Sequence, residues 1–445
     1  MITKLKAKLS SDNNLKEIIS GSAVTFALKM GGMLLGYLVV LVISKQFGAE
    51  GIGIYSLTLA VITFLAMLST MGMDMSILRY VGQFNQENHH QKLKLLYKYV
   101  LEITVPVSIT LSAVLFLLSD YIALHIFQNS TYCDALKIAS FIIPFFAITN
   151  VNVEYIRGLK NLKISEFLRS VHRPIVNLLF LFILSIYFSN TTLPLYSLFI
   201  AIVFTCLVSL YFIYKKLTTI TLKTNGDFSK TELIETSFPM LITSLSTFFM
   251  GNIALVFLQI YSTTDQVGIF SVALKISMLI SLVLMVVNTI SAPKFSELFW
   301  AKEYHSLQQV IHQSTKIIFF SSLLIAAVAV LFNTAILSLF GKEFIAGSVA
   351  LLLLILGQLI NAATGSVGIF LNMTGHQKIL RNIVVISMLV SIALNYLLIP
   401  LYGINGAAFA SMVCAILANI SAAYYVKVHL GYTTYFVPSF LRRLS

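Results

Sequence analysis

Lys29 interrupts the apolar stretch 23–44, and Lys275 interrupts 267–290. A membrane helix takes ~20 apolar residues at ~1.5 Å each, so both ammonium groups are expected about 10–15 Å deep. Leaving such a charge in lipid costs at least ~2.5 kcal/mol, so these side chains should face protein or a wet cavity. Two such cations, with few acids at similar depth, suit an anion. A plainer reading competes: a lysine can snorkel about 6 Å toward an interface. A structural ion pair competes too, but neither apolar run holds an acid.

Other polar residues are placed to act with them. Glu154 and Arg157 are spaced to share a helix face and pair; Glu154 is also the best acid for proton or cation coupling, with Asp74 a weaker one. Arg79 and Lys294, like Arg157, Arg169, Arg173 and Arg381, fall at inner helix ends. There they either hold anionic lipid or draw in a phosphate headgroup. Asn252 sits mid-helix, where an amide makes an interhelical hydrogen bond or lines a cavity. Gly32 and Gly36 allow close helix approach, and Pro106 and Pro144 should bend their helices. There is no phosphate-binding glycine loop, serine-hydrolase elbow, zinc-protease helix or paired cysteine motif, and Cys133, Cys206 and Cys414 have no metal spacing. No catalytic residue, metal or cofactor is expected.

The elements that must position these residues are membrane helices. Of 445 residues 58% are hydrophobic and 11% charged, a polytopic membrane composition. Twelve spans are expected, near 20–44, 53–73, 98–119, 136–156, 171–189, 194–214, 238–261, 267–291, 316–340, 347–371, 380–400 and 405–427. The net charge of +13 is not a nucleic-acid signal, because it lies in alternate loops. With a cytoplasmic N-terminus, Lys45, Lys137 and Lys342 alone fall outside, against 25 inside, so both termini should be cytoplasmic.

The chain repeats itself. Ile52-Gly53-Ile54-Tyr55-Ser56 matches Val267-Gly268-Ile269-Phe270-Ser271, and the same shift carries Arg79 onto Lys294. An even number of helices per repeat gives both the same orientation, related by an axis along the membrane normal, with substrate expected at the seam. The expected division is an interfacial N-terminal segment (1–19), an N-lobe of six helices (20–214), a cytoplasmic linker (215–237), a C-lobe of six (238–427) and a cytoplasmic tail (428–445).

The segment Gly72-Met73-Asp74-Met75-Ser76-Ile77-Leu78-Arg79-Tyr80-Val81 resembles the polysaccharide biosynthesis (O-antigen flippase) family of the multidrug/oligosaccharidyl-lipid/polysaccharide exporter superfamily. So do Phe47-Gly48-Ala49-Glu50-Gly51, Ala292-Pro293-Lys294, Gly375-His376-Gln377-Lys378 and Asn395-Tyr396-Leu397-Leu398-Ile399-Pro400. The resemblance implies an all-α protein with two six-helix lobes around a central cavity, working by alternating access in a bacterial inner membrane. It implies transport of an oligosaccharide on undecaprenyl pyrophosphate to the outer leaflet, for O-antigen, capsule or exopolysaccharide assembly. It places cavity cations on helices one and eight, where Lys29 and Lys275 stand. Membrane lipids, a polysaccharide polymerase and chain-length machinery are the implied partners. A cation-coupled drug or metabolite exporter is the alternative, and needs a mid-membrane acid. An integral-membrane glycosyltransferase or polymerase would need large outer loops with catalytic residues, which this chain lacks.

Overall fold

The computed structural model describes residues 13–86, 90–188, 190–217 and 228–436. Most of the expected N-terminal surface segment, half of the linker and the end of the tail lie outside them. Helices make up nearly all of the described chain. They are α1 (Asn13–Thr70), α2 (Met73–Gln86), α3 (His90–Tyr121), α4 (Thr131–Gly158), α5 (Leu162–Glu166), α6 (Arg173–Ser185) and α7 (Leu193–Leu217). Then follow α8 (Lys230–Tyr261), α9 (Thr264–Met278), α10 (Leu282–Trp300), α11 (Tyr304–Leu331), α12 (Asn333–Ser338), α13 (Ser348–Thr364), α14 (Val367–Met373) and α15 (Gln377–Leu430). Ten segments among the described residues are long and apolar enough to cross a membrane. The first and last each hold two arms, because α1 kinks at Gly48 and α15 at Gly403.

Both kinks use a left-handed glycine, at φ 63° and 53°, which a side chain would strain. At Gly48 the broken ladder leaves the Ala49 amide to be satisfied elsewhere. It donates to Glu343 Oε1 at 3.1 Å, as a buried N–H requires.

The chain divides into two compact units. One comprises Met1–Val42 and Thr58–Ser244, the other Ile43–Leu57 and Leu245–Ser445. In the first, α4 packs against α2, α3 and α7. Its interior joins Tyr80, Leu96, Tyr97, Val100 and Tyr155. A chain of buried polar side chains runs through it: Tyr97 donates to Asn152 at 2.8 Å, and Asn152 to Ser209 at 2.8 Å. Span two was expected to end at 73, with an inner segment after it. Instead Met71 and Gly72 turn at φ 49° and 78°, and α2 starts afresh.

In the second unit α13 packs on α15 and α10 on α11. The sequence repeat has a physical meaning here. A Cβ on Gly53 would collide with the Thr264 carbonyl, and one on Gly268 with the Ala49 carbonyl. The two copies cross on bare backbone, with Ile52, Ile54, Val267 and Phe270 fully buried around the crossing.

Span eight, expected unbroken, is split. Between α9 and α10 the amides of Leu279, Ile280, Ser281 and Leu282 bond three residues back. The Ser277 and Ser281 hydroxyls bond to the Leu274 and Met278 carbonyls at 2.8 Å each, competing with the α-ladder. The freed Ile280 carbonyl accepts from Ser322 of α11 at 2.9 Å.

Candidate functional site

The richest polar cluster inside apolar helices lies in the first unit, around a widened turn. Residues Phe167–His172 form a π-turn joining α5 to α6, within the candidate span Leu162–Ser185. Pro174 explains it. Proline cannot donate to the carbonyl four residues back, that of Ser170, and its ring would strike it. An extra residue in the turn relieves the clash, and such turns often occur at functional sites. The Ser170 backbone packs where a Cβ on Gly32 would stand, whereas Gly36 faces open space. Only the first glycine of that pair is needed for close approach.

This turn aims a run of polar side chains. Glu166 is buried, and its Oε2 lies 3.9 Å from Lys29 Nζ, whose side chain is 27% exposed. Ser170 donates to Glu166 Oε1 at 2.6 Å. Arg169 forms an ion pair with Glu154 Oε1. Glu154 Oε2 is buried without a hydrogen bond, 3.5 Å from Arg157 Nη1. Arg173 stands over the Phe146 ring, 5.4 Å from its centroid, a cation–π distance. His172 Nδ1 lies 2.9 Å from Thr205 Oγ1, which donates to the Ala201 carbonyl at 2.7 Å. Both contacts are satisfied when Nδ1 carries the ring proton. A cavity of about 50 Å³ opens among Phe146, Thr149, Asn150, Arg169, Arg173 and Thr205, enough for a few waters or a small oxyanion at ~10–15 Å³ per water.

The cluster has depth. At about 1.5 Å per residue, Arg173 lies about 16 Å from the start of α5 and Glu166 about 6 Å. Four cations (Lys29, Arg157, Arg169, Arg173) stand against two carboxylates (Glu154, Glu166), with a third acid, Asp74, at the edge beside Glu154. The arrangement can hold an anion, with ion pairs as its resting state.

Arg169 was expected just ahead of a span beginning at 171, and Arg173 at that span's inner end; both lie well inside a span beginning at Leu162. Lys29 keeps its expected depth. Its helix reaches back to Asn13, so it lies about 24 Å after that start and about 28 Å before the Gly48 kink, near the middle of the arm. Its partner acid, absent from its own run, comes from α5.

The remaining candidates fall elsewhere. Asp74 begins α2 and accepts from Thr70 at 3.4 Å. Burial and then the Glu154 charge push its carboxyl above the usual range, against backbone hydrogen bonds from Met75 and Asp74 that lower it. Arg79 is exposed on α2, over Tyr80. In the second unit Lys275 sits in the last turn of α9. Lys294 pairs with Glu297 at 2.9 Å. Asn252 donates to the Phe248 carbonyl of its own helix at 3.0 Å, rather than across helices. Glu166, Ser170 and Thr205 went unremarked, and Arg173 was read only as one of the cations at inner helix ends. Pro174 beside two arginines was the sequence signal that could have shown them.

Known proteins share this architecture. A solved multidrug resistance transporter of the MATE family in its inward-facing conformation aligns at TM-score 0.72 and 14% identity, over 92% of this chain and 98% of that one. The lipid II flippase MurJ, inward closed, aligns at 0.72 and 16%, over 92% and 88%. A Pyrococcus furiosus transporter of the MOP superfamily, described by the reverse polarity of its binding pocket, aligns at 0.65 and 17%, over 94% and 96%. At these identities the likeness is one of fold.

In sequence, stage V sporulation protein B of Bacillus subtilis is 24% identical over 158 residues, 35% of this chain but only 30% of that protein. An uncharacterized membrane protein of Methanocaldococcus jannaschii is 23% identical over 414 residues, 89% of this chain and 95% of the other. Residues 239–397 match the MatE family model. Residues 18–299, more than half of the chain, match the model for polysaccharide biosynthesis proteins. The chain therefore belongs to the polysaccharide biosynthesis protein family.

Proposed function

We propose that the protein moves a lipid-linked oligosaccharide, carried on a polyprenyl diphosphate such as undecaprenyl pyrophosphate, from the inner to the outer leaflet of a bacterial cytoplasmic membrane. The carrying observation is the excess of cations over carboxylates inside the spans of the first unit, at Lys29, Arg157, Arg169 and Arg173. A diphosphate linked at both ends carries about two negative charges, and a site with surplus positive charge offsets the loss of its hydration. In this reading Lys275 supplies a further cation from the second unit, and Arg79 and Lys294 draw the headgroup in from the cytoplasm. Asp74 and Glu154 are the groups available for ion coupling. Coupling need not be obligatory. With the cytoplasm negative, outward movement gains ~2.3 kcal/mol per uncompensated charge per 100 mV.

Export of organic cations would call for an acid open to the ligand. In this cluster both carboxylates already face cations, Glu154 against Arg169 and Arg157, and Glu166 against Lys29. The lipid II flippase among the structural neighbours supports a lipid-linked substrate as the better choice.

The test is complementation of surface polysaccharide in a strain lacking the gene. Arg173→Ala, Lys29→Ala and Lys275→Ala, at matched protein levels, should each reduce display, with Arg173→Ala and Lys29→Ala falling to a tenth or less. Undiminished display in all three, or restored drug resistance in place of display, refutes the reading.

A further inference from the structure

We propose that Glu166 is a built-in competitor for the substrate's phosphate, occupying Lys29 in the empty site and giving it up when the headgroup arrives. The inference rests on the diphosphate reading above, and makes Glu166 the residue that sets how tightly, and how reversibly, the headgroup is held.

The geometry is that of a pair made to open. Lys29 Nζ and Glu166 Oε2 are 3.9 Å apart, beyond the ~2.7–2.9 Å of a charge-assisted hydrogen bond. The carboxylate is restrained from the other side, because Ser170 donates to Oε1 at 2.6 Å. Ser170 is itself fixed, with its backbone against Gly32 of the lysine's own helix. The acid is buried, whereas the lysine side chain keeps 27% exposure. The acid is thus anchored and the amine retains an open side. The other charged groups near this turn are Arg169, engaged by Glu154, Arg173, which stands over the Phe146 ring, and the exposed Lys163. Lys29 is the cation held by Glu166.

A transporter must release what it binds. A buried cation with no internal counter-ion would pay heavily for standing empty and would hold a diphosphate too firmly to let it go. An anchored acid close enough to attract the amine, yet not bonded to it, meets both needs. The ligand displaces the carboxylate from the amine, and the carboxylate reclaims the amine when the ligand leaves.

The experiment measures binding of farnesyl diphosphate and of inorganic pyrophosphate to the full-length protein in nanodiscs. It compares wild type, Glu166→Gln, Ser170→Ala, Lys29→Ala and Lys29→Ala/Glu166→Gln. Glu166→Gln should bind farnesyl diphosphate about tenfold tighter, as removal of one opposing charge at a partly wet site would give, while its transport slows. Ser170→Ala keeps both charges but frees the carboxylate to close on Lys29, and should weaken binding several-fold. Lys29→Ala should weaken it and cancel the gain from Glu166→Gln. The opposite signs of two variants at neighbouring positions separate the effect from simple misfolding.

If wild type binds farnesyl diphosphate but Glu166→Gln does not tighten it, or tightens it equally without Lys29, the competitor role is overturned and the diphosphate reading stands. If wild type binds neither probe, both fall. Equal response to pyrophosphate would assign recognition to the phosphates alone. A response to farnesyl diphosphate only would add the lipid chain, and either outcome leaves Glu166 as the competitor.

Discussion

Lys29 and Lys275 interrupt similar apolar runs, yet the fold treats them differently. Lys29 meets an acid delivered by another helix, and around it stand a second acid and three arginines. Lys275 occupies the last turn of α9, just before the break at 279–281. There the carbonyl ends of the helix favour a cation, typically by 0.3–1 kcal/mol and up to ~2 when partly buried. An ion pair from another helix meets one lysine, and a helix C-terminus surrounds the other. Two lysines in like sequence surroundings therefore have unlike sensitivities, and each can be tested against the other.

The largest effect is expected at the centre of the paired region. Glu154 is buried and faces both Arg169 and Arg157. Removing one partner of a buried pair costs ~3–5 kcal/mol. Arg169 and Arg157 are 42% and 41% exposed, so solvent reclaims part of that cost and Glu154→Ala should destabilise by about 2–3 kcal/mol. Thermal unfolding in detergent measures this. A loss under 0.5 kcal/mol would mean that the network is as loose as a surface pair, and the contrast between the regions would dissolve.

A smaller effect separates the lysines themselves. Lys29→Ala leaves the buried Glu166 with Ser170 alone, which should cost ~1–3 kcal/mol, and adding Glu166→Gln should restore most of it. Lys275→Ala should cost ~0.3–2 kcal/mol, unchanged by Glu166→Gln. If Glu166→Gln rescued both variants, the two sites would share one electrostatic logic after all.

How much of this was legible beforehand depends on what each feature rests on. The spans rest on apolar runs, so twelve could be counted and the repeat around Gly53 and Gly268 could be seen. Its consequence, a crossing on bare backbone, needed coordinates, because a glycine does not announce what it faces. Helix ends were the weak point. Starting span five at 171 left Arg169 outside it and Arg173 at its inner end, because charge was read as an end of membrane. Pro174 was not singled out. Pairing across helices, as of Lys29 with Glu166, has no local signal at all. The break after Lys275 depends on serines bonding back to carbonyls, which composition counts as ordinary small residues.

The smallest expected effect sharpens the paired region from its edge. Asp74 carries a carboxyl whose ionisation is shifted upward, first by burial and then by the Glu154 charge. The folded protein therefore holds this proton more tightly than the unfolded chain. By linkage, stability is highest below the ordinary aspartate range and falls as pH rises from the ordinary aspartate value of 3.8 to the elevated folded value. Above that window Asp74 stands ionised and buried, at a constant cost. Asp74→Asn removes the titration. Its melting temperature should exceed that of wild type at neutral pH, and the difference should vanish toward pH 4. Adding Glu154→Gln, which withdraws the neighbouring charge, should shrink the gain from Asp74→Asn. A gain of the same size at every pH would locate the cost in the side chain's shape, and Asp74 would drop out of the charged network that distinguishes the Lys29 region from that of Lys275.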